Sequence, residues 1–448
     1  ENWPRYVFKL ATGAGKTKVL SLLVAWSYFH KLYEEESPLS KNFLMIAPNI
    51  IVLDRLRDDF DGLKIFYNDP ILPDNGWGGR NWRNDFNLRL HIQDEVGPVS
   101  SSGNLFLTNI HRVYQSAGPA TESDEDLTDF FLGKKPKGKT NEKSLDLSQV
   151  VSAVSDLVVL NDEAHHIHDN SLAWFKAIED IDSAIRRTTR GRGISIQLDV
   201  TATPKKSNGG IFPQTVCSYP LVEAIRQGVV KSPVLPDIAS RSLLVEQPSD
   251  KIAEKYSDHI KLGVIEWSKY RERLGSSGKK PILFVMTTTT EEADEVGKYL
   301  ETKYPEFLGR TLVIHTKANG EINEKSVKPA ELNFLRQASR EIDSLDSPYL
   351  AVVSVLMLRE GWDVQNVVTM VGLRPYSSDS KILPEQTLGR GLRRMFRGDN
   401  SLKEYVSVIG TPAFLEFVEQ IQSEGVELEN VPMGQDSDYK GPLIVEIE

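Results

Sequence analysis

Residues Lys9 to Thr17 read KLATGAGKT. A β-rich run, RYVFKL from Arg5 to Leu10, precedes the glycines, and an apolar helical stretch, Val19 to Phe29, follows them. Strand, glycine turn and helix in that order hold the chain to an α/β fold with a loop at a strand end. Such a loop presents backbone N–H groups at a helix start, a lysine charge and a threonine hydroxyl, the groups that bind phosphate and its magnesium ion. Leu10 stands where the strict phosphate-loop pattern has its first glycine, so the loop has the shorter x-T-G-x-G-K-T form.

The second half of the signature lies far downstream. Leu160 to His166 read LNDEAHH, an apolar strand that runs into two acids. Lys16 is expected to neutralise phosphate, with Thr12, Gly13, Ala14 and Gly15 lining the turn. Thr17 and Asp162 are the candidate magnesium ligands, and Glu163 is the candidate base that orients water. Adjacent acids can divide these tasks because successive residues at a strand end point to opposite sides. Together the loop and the acids predict ATP hydrolysis. His165, His166 and His168 have poor spacing for zinc, and a polar coupling role for His165 fits better.

Apolar runs at Phe43 to Ala47, Leu105 to Thr108, Leu157 to Leu160 and Ile194 to Val200 alternate with helical segments, which predicts a parallel sheet covered on both faces. Each motif of this half falls at a strand's carboxyl end: the loop, Ala47-Pro48-Asn49, Thr108-Asn109, Asp162-Glu163 and Thr201-Ala202-Thr203. Residues 115 to 148 read as a long mobile insert rich in polar residues. Trp77 and Trp82 lie in a second irregular insert, where packing onto the domain is the better reading than base stacking. Residues 221 to 278 read as a connector with a helix from Lys251 to Leu274. A second strand–helix set starts at Pro281, runs through Thr311, Leu350 and Val367, and closes with a final strand near Tyr405. The domains expected are therefore 1–220 and 279–448, with 221–278 between them.

The second set has no glycine phosphate loop. Its densest signal is PEQTLGRGLRR, Pro384 to Arg394, where Gln386, Arg390 and Arg393 fall at i, i+4 and i+7 of a helical stripe. Such a stripe suggests arginines aimed at a phosphate. Upstream, LREGWDVQN places Gly361 and Asp363 after an apolar strand, as candidates for close backbone approach and for a ribose or arginine contact.

Composition narrows the classes. The one cysteine, Cys217, excludes a disulfide framework and a cysteine metal cluster, and suits a reducing cytoplasm. The longest apolar run, Val19 to Phe29, is too short to span a bilayer, so no membrane partner is expected. A net charge of −10 disfavours a general nucleic-acid coat protein but allows a narrow basic groove on an acidic body.

These motifs in this order resemble superfamily 2 DEAD/DEAH helicase motors, and within them the restriction (Res) subunit of type III restriction enzymes. The carrying stretches are ATGAGKT, APNIIVLDRL, LTNIHRVY, NDEAHH, TATP, LREGWDVQNV and EQTLGRGLRR. The resemblance implies two RecA-like parallel-sheet domains in tandem, an ATP site at their interface, and ATP-driven movement along DNA. It implies that Gln386, Arg390 and Arg393 complete the ATP site. It also implies that Pro48, Asn49, Thr108, Asn109 and Thr288 contact the nucleic-acid backbone, and that a modification subunit supplies sequence recognition. An RNA helicase, and an ATP-binding nucleic-acid sensor or scaffold with little translocation, are the alternatives. The loop lies so near Glu1 that a piece of a longer protein is expected. The stretch after Arg394 is too short for the nuclease domain of such subunits, so the chain is not expected to cut DNA itself.

Overall fold

The computed structural model describes residues 3–48, 50–74, 76–92, 97–109, 151, 153–164, 171–202, 214–275, 277–314, 337–338, 341–355, 364–373, 384–396, 402–434 and 444–446. The expected insert at 115–148 lies outside them. The chain divides into two compact units: residues 1–10 with 15–219, and residues 11–14 with 220–448.

The first unit is built on seven parallel strands. In chain order they are β1 (Arg5–Leu10), β2 (Asn42–Ala47), β3 (Arg89–Ile92), β4 (Asn104–Asn109), β5 (Asp156–Asn161), β6 (Gly193–Thr201) and β7 (Thr215–Tyr219), and in space they run β3-β4-β2-β5-β6-β1-β7. The central strands NFLMIA and DLVVLN are apolar runs because both of their faces are covered. Alternate residues divide between two cores. Phe43, Met45, Leu105, Leu107, Val158 and Leu160 pack with helices α1 (Lys16–Tyr33) and α2 (Ile50–Phe60). Leu44, Ile46, Phe106, Leu157 and Val159 face helix α3 (Ser171–Arg186) through Ala177, Ile178 and Ile185. Trp82 stacks on Phe29, with ring centroids 4.9 Å apart, so its insert is bound to the domain by packing.

The second unit repeats the plan. Its parallel strands are β8 (Ser232–Pro236), β9 (Ile282–Met286), β10 (Thr311–Ile314), β11 (Ala351–Ser354), β12 (Val367–Gly372), β13 (Leu402–Gly410) and β14 (Glu429–Val431), in the order β10-β11-β9-β12-β13-β8-β14. A further strand, β15 (Ile444–Glu446), pairs antiparallel with β13. Helices α4 (Ser257–Leu274) and α5 (Thr290–Lys303) bury Ile260, Val264, Trp267, Ala293, Val296 and Leu300 against this sheet.

The region read from sequence as a connector therefore supplies part of the second unit. Ser232–Pro236 lies between β13 and β14, and α4 packs on β12 and β13. Two prolines in SPVLP hide that strand from a propensity reading. The helix expected from Lys251 is broken at Tyr256 into a short turn and α4. Two strands, β14 and β15, follow the one near Tyr405 that was expected to be last.

Candidate nucleotide site

Gly13 and Gly15 have φ of 83° and 90°, left-handed values that a side chain at either position would resist. Between them the chain turns tightly, with the Ala14 N–H donating to the Ala11 carbonyl at 3.1 Å. Gly15 is the residue before α1. No side chain caps that 18-residue helix, and its first turn carries no acid. Uncapped donors and the positive helix end leave this start suited to an anion. Lys16 is buried in the first turn, Thr17 is half-buried beside it, and Thr12 is buried.

The acids come from the end of β5. Lys16 Nζ donates to Glu163 Oε1 at 3.0 Å, so the first unit brings the loop lysine and the second acid together. Glu163 has φ of 49°, a left-handed conformation that is uncommon and costly for a residue with a side chain. Asp162 is fully buried, and both its oxygens are engaged. Oδ1 accepts from the Glu163 N–H at 3.0 Å, and Oδ2 accepts from the Arg55 guanidinium at 2.8 Å. Its backbone N–H donates to the Ile46 carbonyl of β2 at 3.1 Å. Burial pushes the Asp162 carboxyl above the usual carboxylate range; Arg55 works against that rise, and the neighbouring Glu163 adds to it. An uncapped helix start, a buried lysine and two acids form a donor set that fits a nucleoside triphosphate with its magnesium ion.

A buried row supports the acids from below. Asn161 donates to Asp199 Oδ1 of β6, and Arg5 of β1 pairs with Asp199 Oδ2 at 2.6 Å. Sequence reasoning missed Arg55 and Asp199. Arg55 had one signal, as a cation in the quoted stretch APNIIVLDRL; Asp199 had only its place as an acid inside an apolar strand.

The remaining expected residues are placed as follows. Pro48 is half-buried at the end of β2, and Asn49 lies outside the described residues. Thr108 and Asn109 are wholly buried in the end of β4, where the Thr108 hydroxyl donates to the Asn109 carbonyl at 3.3 Å. Thr201 and Ala202 are buried at the end of β6. Thr288 is half-buried, and its N–H donates to Glu292 Oε2 at 2.7 Å. The threonine run there forms a capping box for α5 through Thr289 and Glu292. Thr203, the three histidines, Gly361 and Asp363 lie outside the described residues. Among the described residues, no group of three or more His, Cys, Asp and Glu could hold a metal ion.

In the second unit, helix α6 spans Pro384–Gly391. Gln386 and Arg390 lie on it, but Arg393 lies beyond its end, so the expected single stripe is interrupted. Arg394 pulls the chain inward. Its Nε donates to Glu404 Oε1 at 3.1 Å and its guanidinium to the Leu402 carbonyl at 2.7 Å. The Met395 and Phe396 N–H groups also donate to the Glu404 carboxylate. One arginine of the sequence cluster is therefore a buried structural cation, while Arg390 and Arg393 are half-buried.

Residues 1–206 match the family model described as "Type III restriction enzyme, res subunit". No curated protein matches the chain. Among solved structures, Saccharomyces cerevisiae Dbp5 bound to RNA and ADP BeF3 is 12% identical with a TM-score of 0.51, over 98% of this chain and 88% of that one. A fragment provisionally named as an HsdR subunit of a type I restriction enzyme from Vibrio vulnificus is 17% identical with a TM-score of 0.47, over 95% of this chain. This chain spans 64% of the length of that fragment. The type ISP restriction-modification enzyme LlaBIII bound to DNA is 13% identical with a TM-score of 0.41, over 91% of this chain and 26% of that one. The likeness to Dbp5 is one of fold: two RecA-like parallel-sheet units.

Proposed function

We propose that this chain, matched over residues 1–206 by the res-subunit family model, carries a superfamily 2 helicase-type motor and is an ATP-driven DNA translocase of a type III-like restriction or defence system. The observation that carries this reading is the meeting of Lys16 with Glu163, 3.0 Å apart, at the uncapped start of α1 and beside buried Asp162.

Lys16 exchanges Glu163 for the phosphates of ATP. That exchange frees the Glu163 carboxylate to hold a water and accept its proton. The Thr17 hydroxyl and Asp162 would hold magnesium, which when bound would neutralise phosphate charge. Arg390 and Arg393 are the second unit's proposed cations for that charge. DNA is the proposed track, with strand-end residues such as Pro48 touching its backbone, and sequence recognition is assigned to a modification subunit on the resemblance to type III res subunits.

The test is phosphate release from ATP in the presence of duplex DNA, single-stranded DNA, RNA or no polynucleotide. Duplex DNA should stimulate most strongly. Glu163→Gln should lower turnover by roughly 10²- to 10⁴-fold while leaving ATP binding intact. Normal turnover by that variant would sink the assignment, and stimulation by RNA alone would move the track from DNA to RNA. ATP-dependent ejection of streptavidin from a biotinylated DNA end separates a translocase from a static sensor.

A further inference from the structure

Asp162 is held from three sides, and two of these holds come from the β2–α2 segment. The Ile46 carbonyl accepts its backbone N–H, and Arg55 grips its Oδ2 at 2.8 Å. The third is the Glu163 N–H on Oδ1. Ile46 lies near the end of β2, and Arg55 lies five residues after Ile50, the first residue of α2. Between them runs the turn through Pro48, the strand end that the proposed function places against nucleic acid. The grip is well sheltered: the Arg55 side chain is 18% exposed and that of Asp162 is 0%. An ion pair this dry is costly to break, because removing one partner leaves the other charged and buried. A shift of α2 that carries Arg55 with it therefore acts on the Asp162 carboxylate.

We infer that Arg55 is a positioning residue that couples the nucleic-acid contact at the end of β2 to the magnesium-holding carboxylate of Asp162. Arg55 fixes Oδ2 in direction, so the carboxylate would face a bound magnesium ion in one orientation, and it carries displacement of α2 to that orientation. This role rests on the nucleotide-site reading above. It adds the route by which a bound polynucleotide changes the rate of hydrolysis.

Two measurements on purified protein test it. The first needs no nucleotide. Unfolding midpoints of Arg55→Met, Asp162→Asn and the double variant form a cycle, in which the two losses should be markedly non-additive. Additive losses would overturn the grip. The second is the magnesium dependence of ATP hydrolysis with and without duplex DNA. Arg55→Met should raise the half-saturating magnesium concentration about tenfold and reduce DNA stimulation to less than twofold, while binding of a fluorescent ATP analogue in EDTA stays within twofold of the parent. Arg55→Lys, which keeps the charge but loses the fork geometry, should restore part of both effects. A folded Arg55→Met protein with parental magnesium dependence and full DNA stimulation would overturn the proposal. If the parent protein itself fails to bind ATP, the nucleotide-site reading fails, and the nucleotide-free cycle still decides whether Arg55 holds Asp162.

Discussion

Lys231 is wholly buried, and its Nζ donates to the Gln365 and Val367 carbonyls at 2.6 Å each. Burial pushes its pKa down from 10.5 to about 8, against the pull of Glu404 and Asp343. Between those two values the unfolded chain binds a proton that the folded chain does not. The contribution to stability is therefore complete above pH 10.5 and is lost as pH falls toward 8. The parent protein's unfolding free energy, taken relative to Lys231→Met, should rise between pH 8 and 10 and by about 3 kcal/mol at full extent. Urea unfolding of both proteins across that range checks it, and a flat difference would mean that the lysine titrates normally. Nothing in the stretch QGVVKSPV announces this burial. Lys16, Asp162 and Glu163 stood out in the sequence by residue type and local spacing, and the fold brings Lys16 to Glu163 beside buried Asp162. Lys231, Arg55 and Arg394 did not, because each is defined by a partner on another element: Val367 for the first, Asp162 for the second and Glu404 for the third.

Covered strands were mostly legible, with two exceptions to any simple rule: fully buried β8 went unread, and the edge strand β10 was read. β2 and β5 read as strands because the two cores demand continuous apolar runs. The edge strands β3 and β7, reading RLHI and TVCSY, went unread, since an edge strand with exposed residues carries no such run. β8 went unread through its prolines. Helix α4 was read with its start too early, but what sets its distance from the sheet is Gly263. A Cβ there would stand 2.4 Å from Val371 Cγ2 of β12. Gly263→Ala gains helix propensity yet must push the helix off the sheet, and overpacking of this kind typically costs about 1–3 kcal/mol. A lower urea midpoint is expected; an unchanged or higher one would show that Val371 gives way without loss.

The two-sheet architecture was legible from the alternation of apolar runs and helices, and the doubly covered parallel sheets follow from it. Charge at the same scale carries a prediction about the track. The chain bears a net charge of −10, so any attraction to a polyanion must come from local cations meeting phosphates. The duplex DNA concentration that half-maximally stimulates hydrolysis should therefore rise at least about tenfold between 50 and 200 mM salt. A salt-independent value would remove phosphate contacts from the reading. The order of the first sheet has a further consequence, one of timing. β1 lies between β6 and β7, with Arg5 opposite Gln197 and Val7 opposite Thr215. A ribosome that adds roughly 5–20 residues per second delivers those partners on the order of 10–40 s after β1. For that interval the strand that leads into the glycine loop has no sheet to join, and the nascent chain must shelter it until β6 arrives.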